Sequence, residues 1–358
     1  MTCLRIGNDR NELILKPSRS MEMKPSICPQ QSALPKLALI VGFAVSTGSL
    51  NVAFCASPAP GPGPNSFVAL PEWAKEKAFT FAWVKPGESF CLSNATWTLR
   101  FKGASPLAEL NGVKVWLSHP VELRDGQPRV SALDLQTTLQ PILFREARPP
   151  NHGKVIHTIC LDPGHGGKDP GEKVGSTLEK TYTLLLAKEL ACRMRAAGLL
   201  VFLTRTTDTF VGLDDRPALA NRAGSDLFIS LHFNAAPGGE CRGVEVYCLT
   251  PATASSTNID GQEADQTSLP GNRTDARNVL LAYHLQRSLV RGLGVEDRGL
   301  RRARFAVLRS ARMPAVLIEA GFLSDPAERH NISTQKYRSL LAKAIVRGVL
   351  AFKRAVES

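Results

Sequence analysis

The sequence predicts an α/β protein with a mixed, mainly parallel sheet covered by helices on both faces, preceded by a small β-rich domain. Across 154–356, short apolar runs typical of buried strands alternate with segments of helical periodicity. Across 67–147, polar and apolar residues alternate in short runs separated by turn residues. At 358 residues the chain is long enough for two modest domains, or for one domain with tails.

The predicted elements follow one another along the chain. In the β-rich part, alternation predicts strands at 96–101 and 113–117. In the second half, buried strands are predicted at 155–161, 199–204, 227–231, 244–249 and 316–318. Helices are predicted at 179–197, 214–223, 276–293 and 333–356. The Ser-, Thr- and Gly-rich segment 250–275 is predicted to be a long surface loop without a stable helix. We therefore do not expect it to block access to a binding site.

Residues 1–56 have the order of a signal peptide or an N-terminal anchor. Basic residues precede the apolar run 37–45, and small and polar residues follow it. Because this run is short for a membrane-spanning helix, a membrane is expected as a partner only if the segment stays uncleaved. The Pro- and Gly-rich stretch 57–66 is predicted to be a linker. An exported protein of the periplasm or cell envelope is therefore predicted.

The net charge of +12 favours anionic partners, among them nucleic acid, anionic lipid and acidic wall polymers. Charge alone does not choose among them. The motifs described below, rather than the charge, are the reason that no nucleic acid is expected as a partner. Several arginines stand close together near the end of the chain: Arg298, Arg301, Arg302, Arg304, Arg309 and Arg312. A basic surface that binds the wall and an ordinary solvated face are equally good interpretations of this cluster.

Five of the eight cysteines lie beyond the predicted signal and linker. Cys160, Cys192 and Cys248 stand in apolar runs, which predicts buried free thiols. In an exported protein, Cys241 and Cys248 could form a disulfide across a local turn, and the sequence leaves this pairing open.

Four polar residues stand where the predicted elements meet. His165 lies in the Gly-rich loop 162–167 after the first strand of the α/β part, His232 follows the strand 227–231, and Glu319 follows the last strand. Glu179 opens the first helix. Because binding sites in parallel α/β sheets collect where strands end in loops, these four side chains are expected to converge on one edge of the sheet.

Most of these residues also have a structural interpretation. A Gly-rich loop before a helix can cradle phosphate, but the loop around His165 lacks the spacings of phosphate-binding loops. The spacing from Ser176 to Glu179 is that of a capping box, in which the glutamate binds a backbone N–H. His232 could be a hydrogen-bonded edge histidine. Glu319 is harder to explain, because a carboxylate among apolar residues is costly unless it is paired, hydrogen-bonded or bound to a metal.

Together the four residues indicate more specific chemistry. Two histidines and a glutamate with an open fourth position form the ligand set of a hydrolytic zinc site, here His165, Glu179 and His232. Such a site needs a second carboxylate as general base, and Glu319 is the candidate. The cap and ligand roles of Glu179 are compatible with each other, because a helix N-terminus favours a carboxylate.

Several motifs resemble a known family. They are Asp162-Pro163-Gly164-His165-Gly166-Gly167, Glu179-Lys180, Leu203-Thr204-Arg205-Thr206, Leu213 with Arg216 and Ala220-Asn221, Ile229-Ser230-Leu231-His232-Phe233-Asn234-Ala235, and Ile318-Glu319-Ala320-Gly321-Phe322-Leu323-Ser324. In this order they resemble the zinc-dependent N-acetylmuramoyl-L-alanine amidases of amidase type 3, over about 154–356. The resemblance implies three zinc ligands, His165, Glu179 and His232, a catalytic Glu319, and peptidoglycan as the substrate, cut between the muramoyl lactyl group and L-alanine.

Further roles are expected around this site. Asn234 and Arg216 are candidates to orient the ligands or to bind substrate carboxylates, and for Arg216 a structural ion pair is an equal alternative. A regulatory activator protein is a second expected partner. Two rival functions are a wall-binding protein without catalysis on the same scaffold, and a zinc peptidase or deacetylase that acts on another bond of the wall.

Overall fold

The computed structural model describes residues 66–148, 155–258 and 267–357. The predicted signal or anchor at 1–56 and the linker up to residue 65 lie outside the described residues. Among the helices that are described, none is both long enough and apolar enough to cross a membrane.

The described chain contains sixteen strands and nine α-helices. The strands are β1 Phe67–Ala69, β2 Thr80–Lys85, β3 Ser89–Ser93, β4 Thr98–Lys102, β5 Leu107–Leu110, β6 Val113–Trp116, β7 Glu122–Arg124, β8 Gln127–Ser131, β9 Thr158–Pro163, β10 Lys173–Val174, β11 Thr177–Leu178, β12 Leu200–Leu203, β13 Leu227–Asn234, β14 Val244–Leu249, β15 Asp297–Ala303 and β16 Ala315–Phe322. The helices are α1 Leu70–Glu76, α2 Ala132–Asp134, α3 Gln140–Leu143, α4 Glu179–Ala196, α5 Asp215–Arg222, α6 Asp275–Leu293, α7 Ala306–Arg309, α8 Pro326–Ser333 and α9 Gln335–Glu357. A π-helical turn at Leu135–Leu139 joins α2 to α3, and a 3-10 turn at Pro270–Thr274 precedes α6.

One eleven-stranded sheet organises the molecule, in the order β12-β9-β13-β16-β14-β15-β6-β5-β4-β3-β2. The neighbouring strands β12, β9, β13 and β16 run parallel to one another. The next strand, β14, pairs antiparallel with β16, and β15 pairs parallel with β14. The five strands β6, β5, β4, β3 and β2 pair antiparallel, each with the next. The predicted mixed α/β sheet is therefore confirmed.

Apolar side chains on alternate positions of the central strands enter two cores, one on each face of the sheet. Ile229 and Leu231 of β13 pack in the core that contains α4, α6 and α9. Phe228 of the same strand packs in the second core, with Ala220 of α5 and Val307 of α7. Helices therefore cover both faces, as predicted, because fully buried strands are apolar on both sides.

The β-rich segment 67–147 continues the sheet of the second half of the chain. Its strand β6 lies beside β15, where Leu300 pairs with Val115. The described residues all fall in one compact unit. The division of the chain into a β-rich domain and a catalytic domain stays a prediction.

The arginine cluster is divided between the interior and the surface, since Arg302 is buried whereas Arg309 and Arg312 are exposed. Three of its members lie on β15, a strand that the sequence did not predict, because arginines interrupt its apolar residues. Arg302 is fully buried and donates to the carboxylate of Asp275 at 2.8 and 3.2 Å. It also donates to the backbone carbonyls of Leu249 and Thr137. The contact with Thr137 joins the β-rich segment 67–147, called the N-terminal segment from here on, to the rest of the sheet.

The cysteine predictions meet a mixed outcome. Cys241 and Cys248 form no disulfide with each other, because the buried thiol of Cys248 is free. Cys160 and Cys248 are buried as predicted. The prediction for Cys192 was wrong: it is exposed, because it lies on the outer face of α4, beside Arg193 and away from the buried Ala191 and Met194.

The buried pair of Arg302 and Asp275 gives a stability prediction. We expect Arg302→Ala to lower the free energy of unfolding by about 3–5 kcal/mol, because it leaves the Asp275 carboxylate buried without its partner. The matched control, Arg312→Ala at an exposed arginine of the same cluster, should change it by less than about 0.5 kcal/mol. Urea unfolding followed by circular dichroism measures both, and equal effects would show that the pair does not hold the fold.

Candidate metal centre

His165 lies in the loop that follows β9, in a backbone conformation that few non-glycine residues adopt. Its φ is 61°, and Gly166 and Gly167 after it also have positive φ. His165 Nδ1 lies 2.9 Å from the Asp169 carboxylate, which leaves Nε2 facing the start of α4. A histidine whose second ring nitrogen meets a carboxylate is the usual arrangement of a metal ligand, because the carboxylate fixes the ring orientation.

Glu179, the first residue of α4, is buried between the two histidines. Its Oε2 lies 3.0 Å from His165 Nε2 and its Oε1 lies 2.9 Å from His232 Nδ1. The same carboxylate accepts hydrogen bonds from the backbone N–H groups of Glu172 and Phe233, at 3.0 and 3.1 Å. The capping-box prediction was wrong: Leu178 is the N-cap residue, Thr177–Leu178 is a strand, and the side chain of Glu179 binds amides outside its own helix.

The three side chains could hold one metal ion. One ligand atom from each of His165, Glu179 and His232 lies within 4.8 Å of the others. Burial lowers the pKa of His165, but the hydrogen bonds and charges of Glu179 and Asp169 outweigh it, and the net shift is upward. Burial raises the pKa of Glu179, yet hydrogen bonds from both imidazoles hold it well below its usual range. An ionised carboxylate with two imidazoles is a donor set that fits a divalent metal.

Two glycines make this convergence possible. A Cβ atom on Gly164 would lie 2.3–2.8 Å from the imidazole atoms of His232. A Cβ atom on Gly171 would lie 2.6 Å from Glu179 Oε2 and from the His165 ring. Any larger residue at either position would therefore displace a ligand.

Glu319 lies on β16, directly beside His232 of β13 in the parallel register. Its side chain is half-buried, and its Oε2 atom is buried with no hydrogen-bond partner among the described residues. Burial and the nearby charges of Glu179 and Glu245 raise the pKa of Glu319 well above its usual range. An unpartnered carboxylate oxygen beside a metal-ligand cluster is placed to exchange a proton with a bound molecule.

Both His232 and Glu319 lie inside their strands, although the sequence placed them after the strands. The ladder between β13 and β16 continues through His232 and resumes, after a bulge, at the pair Asn234 and Phe322. The two side chains therefore occupy paired positions of the ladder rather than the loops after the strands.

Arg216 is buried and contacts the loop that carries His165. Its guanidinium donates to the carboxylate of Asp162 at 2.9 Å and to the carbonyls of Pro163 and His165 at 2.9 and 3.0 Å. It therefore forms an ion pair and holds the ligand loop at the same time. Arg205, a motif residue with no predicted role, donates to the carbonyls of Pro163 and Gly164.

Asn234 donates through Nδ2 to the carboxylate of Glu245 at 2.7 Å. Glu245 lies on β14, opposite Glu319 in the antiparallel register, and is nearly fully buried. The sequence carried a signal for it that was missed, since a glutamate inside the apolar run 244–249 needs a compensating partner. Its partners are Arg301 at 3.0 Å and Arg298 at 3.4 Å.

The fold and this site define an α/β protein whose His–Glu–His group can hold a metal ion. Comparison with known proteins agrees, since residues 159–351 match the family described as N-acetylmuramoyl-L-alanine amidase. This chain belongs to that N-acetylmuramoyl-L-alanine amidase family.

Individual relatives share part of their length with this chain. N-acetylmuramoyl-L-alanine amidase LytC of Bacillus subtilis is 32% identical over 200 residues, which cover 56% of this chain and 36% of LytC. N-acetylmuramoyl-L-alanine amidase AmiC of Neisseria meningitidis is 32% identical over 246 residues, which cover 63% of this chain and 57% of AmiC. The crystal structure of N-acetylmuramoyl-L-alanine amidase from Clostridium difficile 630 is 34% identical, covers 56% of this chain and 97% of that one, and has a TM-score of 0.46.

The close approach of Gly164 to His232 predicts a metal-binding phenotype. We expect Gly164→Ala to weaken metal binding about 10–100-fold, because the added methyl group pushes the imidazole away from Glu179. Competition with a chromogenic chelator measures the affinity. Gly212→Ala is the control, because its Cβ would meet only the movable carboxylate end of Asp215, and a parent-like affinity in Gly164→Ala would contradict the prediction.

Proposed function

We propose that this protein hydrolyses the amide bond between N-acetylmuramic acid and L-alanine in peptidoglycan, with zinc as its metal. The observation that carries the proposal is the position of Glu319, whose buried Oε2 lacks a hydrogen-bond partner among the described residues. It lies in register beside His232 of the three-residue metal cluster. Family membership and the names of the relatives support this substrate.

Zinc is the metal that this donor set favours. Two imidazoles and one carboxylate with an open fourth position are typical of hydrolytic zinc sites. His165, Glu179 and His232 would hold the ion. When bound, zinc supplies Lewis acidity for the amide carbonyl and the attacking water.

The side chains around this centre divide the remaining work. Glu319 accepts the proton of the attacking water at Oε2 and donates a proton to the departing alanine nitrogen, because an amide nitrogen leaves poorly as an anion. The upward shift of its pKa favours the first of these transfers, because a carboxylate with a higher pKa is the stronger base. Asp169 holds the ring of His165, and the backbone amides of Glu172 and Phe233 keep the Glu179 carboxylate in place.

The location and partners of the protein follow from this substrate. Peptidoglycan lies outside the cytoplasm, so we infer that the basic-then-apolar N-terminal stretch is an export signal or anchor. The protein would then act in the periplasm or the cell envelope. An activator protein is proposed as a second partner.

The segment 250–275 is proposed to leave the site open to substrate. Limited proteolysis of this segment that raised activity sharply would instead show that it restricts access.

The reaction is tested on intact sacculi. We expect the purified protein to release new free L-alanine amines from stem peptides, and a chelator should stop the release. Glu319→Ala should lower turnover about 10²–10⁴-fold, because no other group replaces its proton transfer. The metal content of this variant, measured by atomic emission, should stay at about one ion per chain.

The matched control is Glu296→Ala, which removes an exposed carboxylate and should turn over like the parent. Cleavage at another bond would instead indicate a peptidase or deacetylase. Binding to sacculi without any release would indicate a wall-binding protein, and either result would overturn the proposal.

A further inference from the structure

Glu319 belongs to a row of paired residues that crosses four neighbouring strands. His232 of β13 pairs with Glu319 of β16, Glu319 pairs with Glu245 of β14, and Glu245 pairs with Gly299 of β15. Side chains in directly opposite positions of adjacent strands share one face of the sheet and contact one another. The row therefore runs from the metal cluster towards the N-terminal segment.

Glu245 is the charged member of this row that the proposed reaction does not use. Its Oε1 accepts the hydrogen bond from Asn234, which lies on β13, while Glu245 lies on β14. Because β16 lies between these two strands, this hydrogen bond spans the strand that carries Glu319. The other oxygen, Oε2, faces Arg301 and Arg298 of β15 at 3.0 and 3.4 Å.

The arginine partners of Glu245 are held by aromatic rings. The Arg298 guanidinium lies 4.8 Å over the ring of Phe322, at the end of β16. The Arg301 guanidinium lies 4.3 Å over the ring of Trp116, on β6 of the N-terminal segment. A planar guanidinium stacked on an aromatic face loses rotational freedom, so its ion pair keeps one geometry.

Trp116 occupies the place in the row where Gly299 has no side chain. A Cβ atom on Gly299 would lie 2.8–2.9 Å from the indole ring, and the φ of Gly299 is 95°. The indole N–H donates to the carbonyl of Arg298 at 2.9 Å. The indole is therefore fixed in position and direction by the strand that carries both arginines.

We propose that Glu245 is a positioning residue for Glu319 and that Trp116 of the N-terminal segment anchors it through Arg301. In this arrangement the N-terminal segment is part of the support of the catalytic centre. Without Trp116, Arg301 can leave Glu245, and the hydrogen bond that spans β16 loses the partner that keeps it in place. The inference rests on the proposed function, since it assigns Glu319 the proton transfer.

The test compares Trp116→Ala with the parent on a soluble muramoyl-peptide fragment. We expect kcat to fall about tenfold while KM stays within about twofold, because misplacement of the proton-transferring group affects the chemical step rather than binding. Hydrogen exchange of the peptide that covers Ala315–Phe322 should become faster in the same variant. Trp116→Phe, which keeps a ring under Arg301, should restore kcat to within about threefold of the parent.

Trp83→Ala is the matched control, because Trp83 is a partly buried tryptophan on β2, the outermost strand at the far side of the same segment. It should lower thermal stability without changing kcat or the exchange of β16. Equal loss of kcat in both variants, or a parent-like kcat in Trp116→Ala, would overturn the inference. If Trp116→Ala does not fold, the nearly isosteric Glu245→Gln decides: about tenfold lower kcat supports the inference and an unchanged kcat overturns it.

The two proposals fail in distinguishable ways. A parent protein that leaves the muramoyl-peptide bond intact contradicts the proposed function. A parent protein that cleaves it, with Trp116 and Glu245 variants equal to the parent, contradicts only the inference. Hydrogen exchange of β16 reports on the row in either case, because it needs no turnover.

Discussion

The centre of this molecule depends on one buried carboxylate. Glu179 carries a negative charge away from solvent, and a buried charge is tolerated only when it is paired and hydrogen-bonded. Two imidazoles and two backbone amides supply those partners. One of the amides belongs to Phe233 of the central strand β13 and the other to Glu172 in the loop after β9. The carboxylate therefore joins the Gly-rich loop, helix α4 and the sheet at one point.

The rest of the loop is arranged around that point. His165 has a positive φ, which its neighbours must stabilise. Arg205 and Arg216 do so from the other side, since they donate hydrogen bonds to the carbonyls of Pro163, Gly164 and His165. Burying two guanidinium groups is costly, and the several hydrogen bonds that each donates to the loop offset this cost.

The sequence predicts well what depends on local pattern and poorly what depends on distant partners. Apolar periodicity located the central strands and long helices, and residue chemistry with family resemblance selected His165, Glu179, His232 and Glu319. The strand β15 was missed because the partners that bury its arginines, among them Asp275 and Trp116, lie far away in the chain. The capping box at Glu179 failed for the same reason: distant histidines compete for the carboxylate, and tertiary contacts override a local motif.

The distant partners also change the meaning of the N-terminal segment. If the sheet ended at β15, that strand would expose unpaired backbone and a row of arginines beside a buried glutamate. Strand β6 removes this edge and brings Trp116 over Arg301, while Asp297 of β15 accepts from the backbone N–H of Lys114 at 2.8 Å. Arg298, Arg301 and Arg302 are thus paired with carboxylates of the fold, while Arg309 and Arg312 of the same cluster stay exposed. A segment that pairs with β15 and fixes the arginines of Glu245 acts on the sheet that carries the site, and its effect reaches Glu319 through two strands.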